Sequence, residues 1–310
     1  TPTASGTFTY TITLTGGCGV ITKTGLIVIS QQTVAGSISS TSNLICNGVT
    51  PPTIILTGNT GSTIKWQTRL ASAAYTGQIP SETGTSINSV VNNLAPTNAQ
   101  IVNYYQAIVK SGVCNSLTTN EVAVTVDPTS QVGSISPLQK IQQWCIGSPA
   151  TAVILPTYVG TIQWQTAALS GNYTDMTGLI NATLPSANIP TNVAGTKTYR
   201  AVVTSGVCPS IYSDVASVQV DAATVAGSIA GTSNLICNGS TPPTITLAGN
   251  LSTRIEWLSG TIAGSLTSTT PTQTGQSISS VVNNLATGNS RVTHYYQALV
   301  TNGKCNTLAT

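Results

Sequence analysis

Charge is scarce in this chain. Of 310 residues only 10 are Lys or Arg and 7 are Asp or Glu, with one His, one Met and one Phe; in an ordinary protein about a quarter of the residues are charged. The net charge of +3 is spread thinly. A nucleic-acid binder needs clustered Lys and Arg to neutralise phosphates, so nucleic acid is excluded as a partner. One histidine and seven acidic side chains leave little material for acid–base catalysis or metal ligation, and no cofactor or metal site is expected. No apolar run approaches the roughly 18 residues of a membrane-spanning helix, so no membrane insertion is expected from these residues. No stretch carries a convincing helical period. In place of charge stand 87 Ser and Thr residues, with hydrophobic residues at 40%. That is enough apolar material for cores and rules out a disordered polyelectrolyte.

The chain repeats. Residues 34–59 read VAGSISSTSNLICNGVTPPTIILTGN and residues 225–250 read VAGSIAGTSNLICNGSTPPTITLAGN. At this offset, 34–119 align with 225–310 without a gap and 47 of 86 positions are identical. A weaker copy between them opens QVGSIS at Gln131 and carries IQWQT at 162–166 and YRAVVTSGVC at 199–208. The repeat is therefore a module of roughly 95 residues. The expected division is 1–32, the C-terminal part of an upstream module; 33–128 and 129–222, two full modules; and 223–310, a module lacking its last strand.

The local pattern is all β. TIILT (53–57), TIKWQT (63–68), NYYQAIVK (103–110) and EVAVTV (121–126) are short and rich in β-branched or aromatic residues. In the last, Val122, Val124 and Val126 should face a core and Glu121, Ala123 and Thr125 the other side. Gly, Asn, Pro and Ser mark turns between them. The expected fold is a tandem of antiparallel two-sheet β-sandwiches of immunoglobulin-like type. The short joints VTVDPTSQ and VQVDAATV point to a semi-rigid rod.

Each module has an early and a late cysteine: Cys46 and Cys114, Cys145 and Cys208, Cys237 and Cys305. One disulfide inside each module is the simplest reading, and it implies an oxidising, extracytoplasmic compartment. Cys18 holds the place of a late cysteine, so its expected partner lies upstream of residue 1. Zinc fails for want of C-x-x-C pairs. Trp66, Trp164 and Trp257 follow the early cysteines by 20, 19 and 20 residues and are expected to be core aromatics, in the Cys…Trp…Cys order of immunoglobulin domains. Because the late cysteine follows its strand, the bridge is expected near one end of the sandwich.

SGTFTYTITLTGGCG (5–19), ICNGSTPPTITLAGN (236–250), TIQWQ (161–165) and YYQAIVKSGVCNSLTTNEVAVTV (104–126) resemble the Ig-like repeats of giant Bacteroidota cell-surface proteins, which include the gliding-motility adhesin exported by the type IX secretion system. The resemblance spans essentially the whole chain. It implies secretion, display at the cell surface and a filamentous adhesin, and it carries over no catalytic residue.

Other candidates weigh less. His294 has no base or nucleophile motif around it, and Asn103 takes its place in the first copy. Asp127 and Asp221 end their modules, but one carboxylate per joint is too few for calcium, which leaves a turn or linker role. Lys65 faces Gln163 and Glu256 in the other copies, which argues against a shared Lys–Asn cross-link. Trp144, Tyr75, Tyr158 and Tyr173 could form a sugar-stacking platform. The variable segment 60–82, against 251–273, is where a ligand-binding face would be sought. The reading is a non-enzymatic structural and adhesive segment of a secreted cell-surface filament, serving surface adhesion or gliding motility. A carbohydrate-binding array and the spacer modules of a secreted enzyme are the alternatives. Its partners would be an extracellular surface or glycan, the neighbouring modules, and other chains in lateral bundles.

Overall fold

The computed structural model describes residues 4–310 except 72, 76, 80–81, 95–97, 170, 269–272 and 284–289. It is almost entirely β and forms two compact units: residues 1–131 with 159–161 and 204–211, and residues 132–158, 162–203 and 212–310. These units do not coincide with the sequence repeats, because the turn carrying Cys208 belongs with the first module.

The first unit opens with a hairpin of β1 (Gly6–Gly16) and β2 (Gly19–Ile29), paired in register from Gly6↔Ile29 to Gly16↔Gly19. Among the described residues no other strand joins it, and Leu14, Leu26 and Val28 are each 66% exposed. The first full module follows. Its strands are β3 (Ser37–Ser40), β4 (Leu44–Cys46), β5 (Ile54–Thr57), β6 (Thr63–Leu70), β7 (Gly77–Ile79), β8 (Ser86–Ile87), β9 (Ile101–Lys110), β10 (Leu117–Thr118) and β11 (Val122–Asp127). One sheet runs β3-β5-β8; the other runs β4-β11-β9-β6-β7, with β10 on β9. The two sheets enclose a core of Ile38, Ile54, Leu56, Trp66, Ile87, Tyr105, Val109, Val124 and Val126, among others.

Period-two alternation makes this sandwich. In β9, Asn103, Tyr105, Ala107 and Val109 are buried, and the residues between them are not. In β11, Val124 and Val126 are fully buried and Val122 packs against the same core, the face set by the V-x-V-x-V pattern. Trp66 is fully buried and donates its indole N–H to the Gly84 carbonyl at 3.0 Å, which satisfies its one polar atom. Among the described strands the sandwich pairs antiparallel except where β4 runs parallel to β11, with Thr125↔Leu44, Val126↔Ile45 and Asp127↔Cys46.

In the second unit the same plan recurs. Strand Ile141–Cys145 runs parallel to Ala216–Asp221, which runs antiparallel to Gly195–Thr204. Trp164 and Tyr199 are buried at the places of Trp66 and Tyr105. Four residues, Pro137–Lys140, form a helical turn. The last module packs Leu247, Ile255, Trp257, Ile278, Ala298 and Val300 between a sheet of Ser228–Gly231, Ile245–Ala248 and Ser277–Ile278 and a sheet around Arg254–Gly260 and Tyr295–Thr301.

Candidate functional site at the disulfide-clamped joints

The disulfides join Cys46 to Cys208 and Cys145 to Cys305, with Cα atoms 4.9 and 4.6 Å apart. Cys18, Cys114 and Cys237 are free thiols. The expectation of one bridge inside each module, Cys46–Cys114, Cys145–Cys208 and Cys237–Cys305, is thereby corrected. The early cysteine of one module bonds the late cysteine of the next.

Strand direction explains the correction. Cys46 closes β4, level with Asp127 at the end of β11. The antiparallel partner of β11 begins at that level, with Val126 opposite Ile101. Cys114 lies beyond the far end of β9, about ten residues further on at roughly 3.3 Å each. The two cysteines of a module therefore sit at opposite ends of the sandwich. A disulfide needs Cα atoms within about 7 Å.

Around each bridge the same clamp recurs. The turn that carries a late cysteine seats on the linker just before its own module. In the first clamp the Asp127 carboxylate is buried, accepts the Val207 N–H at 3.0 Å and accepts Gln100 Nε2 at 2.6 Å. Ser130 Oγ accepts the Ser205 N–H at 3.0 Å. In the second, the Asp221 carboxylate accepts the Lys304 N–H at 2.8 Å and Gln143 Nε2 at 2.9 Å, and Thr224 Oγ1 accepts the Asn302 N–H at 3.0 Å. Between the two amides of each turn stands a glycine with positive φ, Gly206 at +50° and Gly303 at +52°. A Cβ there would come within 1.8 Å and 1.9 Å of the carboxylates, so only glycine fits. Asp127 and Asp221 thus act as linker acceptors for backbone amides. Among the described residues no group of three or more His, Cys, Asp or Glu side chains could hold a metal ion.

The turn of Cys114 makes the same linker contacts. Ser30 stands where the aspartates stand: its Oγ accepts the Val113 N–H at 3.4 Å, and Thr33 Oγ1 accepts the Ser111 N–H at 3.1 Å. The Cys114 thiol lies 3.5 Å from the Gln31 carbonyl, much as Cys208 Sγ lies 3.1 Å from that of Pro128 and Cys305 Sγ 3.2 Å from that of Ala222. The sequence signal for all three is the G-x-C turn paired with a residue at the end of the preceding β-strand, which spacing between cysteines alone did not reveal.

The remaining candidates are dispersed. Arg69 on β6 lies over the rings of Tyr104 and Tyr75, 4.1 and 5.3 Å from their centroids, and pairs with Glu121 at 3.0 Å. Tyr75 donates its hydroxyl to Glu121 at 2.9 Å. Burial, and then this bond to a carboxylate, push its phenol up to about 12. The same contacts, Tyr75 first and Arg69 second, hold the Glu121 carboxyl below its ordinary value. In the second unit Arg200 lies 3.9 Å from the Tyr173 centroid and 4.0 Å from that of Tyr212. Guanidinium groups therefore stack on Tyr75 and Tyr173, two members of the expected platform. Trp144 is half-buried and donates to Gln142 Oε1 at 3.0 Å; Tyr158 is 42% exposed. Lys65 is exposed. His294 lines a cavity of about 680 Å³ with Arg291 and Tyr295, and among the described lining residues there is no carboxylate.

A family model describing a domain of unknown function (DUF8696) matches residues 34–128 and 132–222. The chain belongs to this family. No curated protein matches it. Among solved structures it is similar to the FN1–FN3 domains of chicken CNTN1 (8% identity over 89% of this chain and 97% of that one, TM-score 0.28). It is also similar to the Ca2+-stabilised adhesin with which an Antarctic bacterium binds ice (13% identity, 98% and 80%, TM-score 0.29). A tetra-tandem repeat from the extending region of a large adhesion protein matches at 10% identity, 98% and 80%, TM-score 0.36.

Proposed function

We propose that this DUF8696 chain is a tension-bearing structural and adhesive segment of a secreted cell-surface filament, serving surface adhesion or gliding motility. The observation that carries this reading is the interleaving of the two disulfides. The 46–208 bridge and the 145–305 bridge overlap in sequence. Three stretches of chain, 46–145, 145–208 and 208–305, therefore run in parallel between the same two sulfur links. The shortest, 145–208, sets the limit of extension. At about 3.6 Å per residue its 63 residues reach roughly 230 Å; without the bridges the span from 46 to 305 would reach roughly 930 Å. An array held this way is limited in how far it can lengthen under load after a module has lost its fold. The bridges also favour an oxidising, extracytoplasmic location, and the Ser- and Thr-rich surface hydrates the modules without a strong field. Binding would be spread over many weak copies, as multivalency allows.

Single-molecule stretching of the full chain tests this. Oxidised protein should show a contour gain between residues 46 and 305 capped near the shorter figure, and reductant should release several hundred ångströms more. Equal gains in the two conditions would overturn the reading.

A further inference from the structure

We propose that Cys237 and Cys114 are complementary halves of one further inter-module bond, each made to take another module of this same family. Cys237 takes the G-x-C turn of a module that follows it; Cys114 takes the early cysteine of a module that precedes it. The inference deepens the filament reading, and its test does not depend on stretching.

Four observations carry it. Both closed bridges obey one rule, early cysteine to the late cysteine of the next module. Of the three free cysteines, Cys237 is the early one that the rule leaves over, and Cys114 and Cys18 are the late ones; of these two, Cys114 has its whole module in the chain. The turn around Cys114 is already seated on its linker through Ser30 and Thr33, as the turns of Cys208 and Cys305 are. The strand context of the two thiols is also complementary. Beside Cys46, β4 lies parallel to β11, which is paired on its other side with β9. Cys18 holds the place of Cys114, and Ser30 receives the Val113 N–H as Asp127 receives that of Val207, so β1 corresponds to β9 and β2 to β11. Among the described residues β2 pairs with β1 alone, and none of them lies on the edge that corresponds to the place of β4. Residues 235–237 correspond to β4 and lie in no strand. Leu235 and Ile236 instead line the 680 Å³ cavity with Val292 and Tyr296. Leu235–Cys237 of one module would add parallel to Val28–Ser30 of the other, the register of Leu44–Cys46 on Thr125–Asp127. Cys237 then arrives beside Cys114 as Cys46 arrives beside Cys208.

The bond forms by oxidation of the two thiols. A small disulfide such as oxidised glutathione accepts the two electrons: a thiolate attacks one of its sulfurs, the resulting mixed disulfide is attacked by the second thiolate, and two equivalents of glutathione leave with the two protons.

A second copy of the full chain is the probe, since it presents both halves. One variant carries Cys18→Ser and Cys114→Ser, leaving Cys237 free; the other carries Cys18→Ser and Cys237→Ser, leaving Cys114 free. They are mixed in equal amounts with oxidised glutathione, and the cross-linked dimers are counted by peptide mass spectrometry. The expected result is a Cys237–Cys114 linkage at least about tenfold over the 237–237 and 114–114 linkages, which random collision would give in comparable amounts. Intact 46–208 and 145–305 peptides in the same digest report that both variants are folded. Like and unlike linkages in equal amounts, or no 237–114 linkage from folded variants, would overturn the proposal, whatever the stretching experiment shows.

Discussion

Asp127 and Gly206 are 79 residues apart in sequence and share one small volume: the carboxylate stands where a Cβ on Gly206 would fall, 1.8 Å from Oδ2. The aspartate also accepts the next amide of the same turn, Val207, at 3.0 Å. The joint thus depends on a carboxylate and on a missing side chain in equal measure, and Asp221 with Gly303 repeats the arrangement.

Gly206→Ala should destabilise the first unit by about 2–3 kcal/mol, from positive-φ strain and the collision with Asp127. Asp127→Ala alone leaves the Val207 amide without its acceptor and should cost about 1–3 kcal/mol. Because the two share one space, the double variant should lose less than the sum of the singles. Urea unfolding of the four proteins of this cycle measures the coupling; strict additivity would show that the contact has no energetic weight.

Trp66→Ala should cost about 3–5 kcal/mol. The side chain is fully buried, and the Gly84 carbonyl loses its donor as well. Trp66→Phe keeps much of the volume and should lie well below that loss. Thermal melts of the two variants separate packing from the hydrogen bond.

Cys208→Ser opens a loop of 162 residues, for which the chain-entropy model gives about 5 kcal/mol. Because the two loops interleave, the loss from opening either bridge alone should fall somewhat below the figure for an isolated loop, and removing Cys145 as well should then cost the full loop of an independent bridge. Guanidinium midpoints of the single and double serine variants test the ordering.

Acid should weaken the first module through Glu121. Tyr75, and then Arg69, hold its folded pKa below the ordinary value, so its contribution is full above the unfolded carboxylate pKa and is lost as pH falls through the folded one. Lys140, 2.8 Å away, lowers Asp214 in the same sense. At the alkaline end, the Tyr75 phenol, raised to about 12, contributes below its unfolded value near 10 and is lost as pH rises toward 12. Stability followed from pH 7 to 3 should fall less steeply in Glu121→Gln than in the parent chain; parallel curves would refute the assignment.

Much of the sandwich was legible in the chain. Alternation in EVAVTV assigned Val124 and Val126 to the core face, and turn signals bounded most of the strands. The parallel pairing of Leu44–Cys46 with Thr125–Asp127 was not legible. A three-residue strand carries too little alternation to announce its partner, and parallel pairing between segments 81 residues apart leaves no local mark. That unseen pair is what carries Cys46 away from Cys114, so the sulfur pairing could not be read without it. The stacking of Arg69 and Arg200 on tyrosines was hidden for a similar reason: the rings and cations come from different strands.

The sequence by itself determined the module length, the β character and the buried tryptophans, because these follow from composition and from periods of two and roughly 95 residues. Only the tertiary structure decided which sulfurs meet. Cysteine spacing is the same whether a bridge closes a module or links it to the next. The choice falls to the direction of each strand across the sheet, which places the two cysteines of one module at opposite ends and those of successive modules side by side.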